Sequence, residues 1–124
     1  MILGNDNELS ARVIGCCFKL HTAIGPGHTE RTYHNGLIAV FEKEKLGFET
    51  EKQYKLFYQD KMIGNFKADL VIENKLILEI KSLERGIPEA HYHQIVSYLR
   101  SAKISLGLLV NFGATRCQIK RIVI

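Results

Sequence analysis

Tryptophan is absent from the 124 residues, proline occurs twice and cysteine three times. With proline confined to Pro26 and Pro88 and the glycines scattered, there is no linker composition, low-complexity tract or internal repeat. Cys16, Cys17 and Cys117 are an odd number with one adjacent pair, a poor disulfide framework, and no C-x-x-C exists for zinc. They read as reduced apolar fillers of a reducing compartment. No apolar run approaches the ~20 residues of a membrane span. Met1-Ile2-Leu3-Gly4-Asn5-Asp6 lacks the basic start and long apolar stretch of a signal peptide. The expected setting is the cytoplasm, with no membrane partner. Nucleotide-binding G-x-x-x-x-G-K-[ST], G-x-S-x-G and Cys/His nucleophile patterns are missing. The histidines fall at no convincing metal-ligand spacing: His91 and His93 lie on different helix faces, and His21, His28 and His34 read as incidental.

What is present is ordinary in bulk and uneven in arrangement. Hydrophobic residues at 46% and charged residues at 24% suit a single globular domain, 1–124, large enough to hold its own core. Net charge is +4, but the first 89 residues carry 12 basic and 13 acidic side chains. The last 35 carry Arg100, Lys103, Arg116, Lys120 and Arg121 with no acid. A basic end of this kind suits a polyanionic partner.

Leu9, Val13, Cys16, Cys17 and Leu20 recur at helical spacing, with Asn5 as the expected N-cap and Gly25-Pro26-Gly27 as the stop. A second helix is predicted from Thr29-Glu30 through Tyr33, Leu37, Val40 and Phe41 to Gly47. The period then changes to that of strands: 52–58, 62–72 and 76–81, with turns at Gln59-Asp60-Lys61 and Glu73-Asn74-Lys75. Pro88 should be the first residue of a third helix reaching Ala102, followed by strands 105–112 and 117–123. The order α-α-β-β-β-α-β-β predicts a mixed β-sheet flanked by helices, an α/β fold.

If the hairpin turns through Glu73 to Lys75, paired positions sum to 148 and Asp69 lies opposite Glu79. The even positions Ala68, Leu70, Ile72, Leu76, Leu78 and Ile80 then form one apolar core face, and Asp69, Val71, Ile77, Glu79 and Lys81 share the other. Facing carboxylates repel unless a positive charge lies between them. A divalent cation held by Asp69 and Glu79, with the Lys81 ammonium close by, would supply it. A solvated or ion-paired charged face is the alternative.

Asp69, nine intervening residues and Glu79-Ile80-Lys81 resemble the metal-binding core of the PD-(D/E)XK nuclease superfamily. Upstream, Gly27-His28-Thr29-Glu30-Arg31-Thr32-Tyr33 is similar to the signature of the small GxxExxY proteins assigned to that superfamily. Gly25-Pro26-Gly27, Lys67-Ala68-Asp69-Leu70 and the run from Leu106 to Gly113 match the same family in order, over about residues 8–124. Ala68 stands for the nominal proline, and Gly36 falls where members often carry a helix former. The resemblance implies a restriction-endonuclease-like core. It also implies Asp69 and Glu79 as ligands of Mg²⁺ (or Mn²⁺), an added ligand from the Ile80 carbonyl, and Lys81 as the catalytic lysine beside the attacking water. Glu30 matches the helix-borne acid that completes the metal site, unless it only serves the helix dipole. Tyr33 reads as a packing residue. Gln94 and Tyr98 are similar to the Q-x-x-x-Y element of RecB-like exonucleases, one helix turn apart on one face.

The function implied is metal-dependent hydrolysis of phosphodiester bonds in DNA, with Arg116, Lys120 and Arg121 lining the backbone track. The alternative is a nucleic-acid-binding or regulatory protein that keeps the fold with little turnover. Two-carboxylate glycoside hydrolysis fits poorly with Lys81 and with the lack of tryptophan. So short a chain leaves little room for a sequence-reading domain, so specificity is expected from DNA structure, a homodimer or another protein.

Overall fold

The computed structural model describes residues 4–124; the first three residues of the expected leaderless start lie outside that range. The elements follow the predicted order: α1 (Gly4–Ile24), α2 (Glu30–Glu44), β1 (Phe48–Tyr58), β2 (Lys61–Ile72), β3 (Leu76–Lys81), α3 (Glu89–Ala102), β4 (Leu106–Asn111) and β5 (Gln118–Val123). Helix α1 already contains Asn5, which therefore does not cap it from outside. Helix α2 is capped at Thr29, whose side chain accepts from the Thr32 N–H. It ends at Lys45 in the left-handed region (φ 59), two residues before the expected stop at Gly47. Pro88 sits one residue ahead of α3 rather than as its first residue.

The five strands form one mixed sheet in the order β1-β2-β3-β4-β5. All neighbours are antiparallel except β3 and β4, which α3 joins as a parallel crossover. This is the α/β, restriction-endonuclease-like architecture, a mixed sheet flanked by helices. The hairpin register is the expected one, with Leu70 opposite Leu78 and Ile72 opposite Leu76.

Helices α1 and α2 cover one sheet face, packing Val13, Cys17, Leu37 and Phe41 on Leu70, Ile72, Leu78 and Ile80. Gly36 belongs to this contact: a Cβ there would lie 2.7 Å from a Leu20 methyl, so a larger residue on α2 would require the Leu20 side chain to move. The opposite face is also core, because Ile95 and Leu99 of α3 pack on Val71, Ile77 and Leu109. The second face of the hairpin is thus not a solvated one. Ala68 is buried with α3 instead of with the even-numbered residues. Alternation breaks at Asp69, across from which Glu51 of β1 holds φ 50, and the regular pairing skips both. All three thiols are free, and burial pushes each of them up. Among the described residues no helix is long and apolar enough to cross a membrane.

Candidate functional site

Beyond Leu70 and Leu78, β2 and β3 part, and side chains take over from the ladder. The Asp69 N–H donates to Glu79 Oε2 at 2.9 Å, and the Ile80 N–H donates to Asp69 Oδ2 at 2.8 Å. Each carboxylate thereby satisfies a backbone donor on the other strand that the interrupted ladder would have orphaned. One oxygen of each remains available.

Glu79 is buried, only 6% exposed. Burial first, and the neighbouring Asp69 carboxylate second, push its carboxyl up to about 8. The Asp69 amide bond and the Lys81 ammonium act the other way, and Glu30 adds to the repulsion. The fold therefore brings Glu30, Asp69, Glu79 and Lys81 within electrostatic reach of one another. Among the described residues, neither Asp69 nor Glu79 has a cationic side chain at ion-pair distance. The nearby cations are engaged elsewhere: Arg31 and Lys67 donate to the two oxygens of Glu51, at 3.1 and 3.2 Å. Those bonds hold the Glu51 carboxyl below the usual carboxylate range.

A cleft of about 180 Å³ opens at the fork, lined by Glu30, Arg31, His34, Glu51, Lys67, Asp69 and Ile80. His34, expected to be incidental, is buried and ties α2 to β2. Arg31 Nη1 lies 3.1 Å from His34 Nδ1 and can only donate, so Nδ1 accepts. That leaves Nε2–H to donate to the Asp69 carbonyl at 3.1 Å. Tyr33 packs, as expected, stacking on Phe112 at 4.6 Å. Its hydroxyl also donates to the Gly25 carbonyl at 2.7 Å, fixing the glycine turn that leads into α2.

The segment after Lys81 is held by Asn111, which is fully buried at the end of β4. Its Oδ1 accepts from the N–H groups of Leu83 and Gly113, and its Nδ2 donates to the Leu83 carbonyl and to Gln118. Gly113 fits because its Cα lies against the backbone of Ser82 and Leu83; a Cβ would come within 2.6 Å of the Ser82 carbonyl carbon. The sequence does not reveal this role of Asn111, because Leu83, the residue it ties down, lies 28 positions away.

Tyr98 lies within electrostatic reach of Glu79 and Asp69. The Tyr98 ring stacks on Phe66 at 4.0 Å, and burial, then the Glu79 and Asp69 charges, raise its phenol. Gln94 is exposed on the preceding turn. The three basic residues do not form one track. Lys120 sits 5.4 Å from the centre of the Tyr92 ring on the α3 face. Arg121 turns to the other face and donates to Ser10 and Asn7 of α1. Arg116 is exposed in the turn between β4 and β5.

Among the described residues no three His, Cys, Asp or Glu side chains stand close enough to hold a metal ion. The expected Glu30-Asp69-Glu79 set is not assembled, since Glu30 is exposed and two of the other carboxylate oxygens hold backbone N–H groups. What is assembled still fits a hard divalent cation: two carboxylates in mutual reach, one of them buried, with no cationic side chain at ion-pair distance and a cleft beside them.

Comparison with known proteins accords with this geometry. The family model of the PD-(D/E)XK nuclease superfamily matches residues 7–122. The crystal structure of SSO0001 is similar in fold, with a TM-score of 0.57 and 24% sequence identity over 75% of this chain. The chain spans about half the length of that protein, 48%. No curated protein matches the sequence.

Proposed function

Because the chain belongs to the PD-(D/E)XK nuclease superfamily, we propose that it hydrolyses phosphodiester bonds in DNA at the fork between β2 and β3, using Mg²⁺ or Mn²⁺. The proposal treats 1–124 as one nuclease-like domain of the GxxExxY group. The motif's chemistry supports that placement: Gly27 takes φ 96, Glu30 opens α2 at the cleft, and Tyr33 pins the turn. A cytoplasmic setting accords with three free thiols.

The observation that carries the proposal is the crossed bonding of Asp69 and Glu79, two acids so close that burial and the Asp69 carboxylate push the Glu79 carboxyl up to about 8. Asp69 and Glu79 would hold the cation through their available oxygens. When bound, the cation supplies positive charge to the phosphate and lowers the pKa of the attacking water. Lys81 lies two residues past Glu79 on the same strand face, where its ammonium orients the water and steadies charge on the phosphate. Tyr98, stacked and half-buried, offers a hydroxyl donor on the α3 side. His34 and Asn111 position the two sides of the fork without touching substrate. Among the basic residues, Lys120 and Arg116 remain available to phosphates, whereas Arg121 serves α1.

The exposure of Glu30 away from a three-ligand set favours the second reading, a DNA-binding or regulatory protein with little turnover. A cleavage assay separates the two. Wild type should cut single-stranded, duplex or branched DNA in Mn²⁺, stop with a chelator, and be silent as Glu79→Ala. Binding without cleavage on all three substrates would leave the second reading.

A further inference from the structure

The β1–β2 hairpin runs past the helices that cover the sheet, and its end is apolar on the outside. Leu56, Phe57, Tyr58, Met62 and Ile63 are all exposed, Phe57 to 58% and Ile63 to 61%. The turn is tight, with Gln59 and Asp60 both at positive φ. The register shifts at Leu56/Phe57: Leu56 pairs with Gly64 and Phe57 with Met62, which leaves Ile63 as the extra residue of a bulge. Several large apolar side chains on a two-stranded tip add nothing to the core, so they call for a partner.

Charge around the tip selects the partner. Between residues 52 and 67 there are four lysines and one acid, Asp60. A groove beside the tip is lined by Lys55, Leu56, Phe57, Arg100, Ser101 and Lys103, three cations and no carboxylate. Arg100 and Lys103, the first two members of the basic chain end, thus join the hairpin rather than β5. Lys52 and Lys55 on β1, at the edge of the sheet, disfavour pairing with a second copy. Flat apolar groups ringed by cations match a strand whose bases are unstacked and whose backbone is anionic.

We infer that the hairpin tip is an arm for single-stranded or frayed DNA, with Phe57 and its apolar neighbours against bases and Lys55, Arg100 and Lys103 on phosphates. The inference rests on the nuclease reading and adds a substrate class to it. The tip lies eight residues along β2 from Asp69, roughly 25 Å. That is at most about seven nucleotides, the number at stacked spacing, and fewer for an extended strand. The arm would therefore grip the substrate at a distance from the bond being cut. The stack of Tyr54 on Phe66 and Phe66 on Tyr98, at 5.1 and 4.0 Å, braces the hairpin base against the α3 side of the fork.

Fluorescence anisotropy in chelator, with a labelled oligothymidine and a blunt duplex, tests this without any cleavage. Phe57→Ala should weaken oligothymidine binding about tenfold and duplex binding less than twofold, with an unchanged melting temperature. Phe57→Tyr should restore binding. Unchanged oligothymidine binding, or an equal loss on the duplex, would overturn the arm while the nuclease reading stood. A wild type that sediments as a dimer and a Phe57→Ala variant that sediments as a monomer would assign the tip to a second copy instead. Wild type that binds neither DNA would remove both readings.

Discussion

Asp69 and Glu79 each use a carboxylate oxygen to accept from the other's strand, at 2.8 and 2.9 Å, where the backbone ladder between β2 and β3 has stopped. The consequence is a close pair of acids, Glu79 buried and Asp69 half-buried, with no cationic side chain at ion-pair distance. Such a pair is stable as a protonated couple or as a ligand set, and the two states answer differently to pH.

Glu79 sets the first expectation. Its carboxyl is raised in the fold to about 8, above its ordinary 4.5, by burial and by Asp69. The native state then holds a proton that the unfolded chain releases. Stability is fully present below pH ~4.5 and is lost as pH rises through about 8. Urea unfolding in chelator should show this decline, and Glu79→Gln should flatten it. Equal slopes for the two proteins would mean that Glu79 is charged in the fold without cost.

Lys81→Ala should abolish cleavage and leave DNA binding nearly intact, since one of 17 basic residues contributes little to phosphate attraction. Binding and turnover measured on the same preparation decide it. Loss of both in step would give Lys81 a purely electrostatic role.

The basic chain end separates into two behaviours. Reversing Lys120 should weaken DNA binding and flatten the salt slope by about one unit. Reversing Arg121 should instead lower the melting temperature, because its guanidinium bonds Ser10 and Asn7. A salt slope that moves with Arg121 and not with Lys120 would put the DNA on the α1 face.

Asn111→Ala should cost about 2–4 kcal/mol, since it strands the Leu83 and Gly113 backbone groups in the interior. Chemical unfolding reads this directly. A loss under ~1 kcal/mol would mean that water replaces the amide and that the Ser82-Leu83 segment does not depend on it.

The parts of this fold that a sequence reveals are those governed by local period. Strand β3 has the expected bounds, Leu76 to Lys81, and a three-residue turn was enough to set the hairpin register. What the period hides is what arrives from elsewhere in the chain. The cover of α3 over Val71 and Ile77 makes core of a face on which alternation also places Asp69, Glu79 and Lys81, and the period does not show which element supplies that cover. Ala68 changes sides because of Glu51, a non-glycine residue at φ 50 on a neighbouring strand. In the candidate site, the Asp-Glu-Lys spacing was legible. The roles of His34, Glu51 and Asn111 were not, because each depends on a partner distant in the chain: Asp69 for His34, Arg31 for Glu51 and Leu83 for Asn111. Lys120 and Arg121 read as neighbours and sit on opposite faces, as adjacent strand residues must.

That Asp69 and Glu79 together hold a divalent cation is the centre of this account, and thermal melting with and without Mn²⁺ at pH 8.5 or so, near the raised Glu79 value, tests it most directly. In chelator, Glu79→Gln should melt above wild type, because it removes one of two like charges. With Mn²⁺ at ten times its dissociation constant, wild type should gain roughly 1.4 kcal/mol, several degrees for a domain of this size, while the variant gains nothing. If the two proteins melt alike in both conditions, the pair holds no cation, and the chemistry proposed for the fork is wrong.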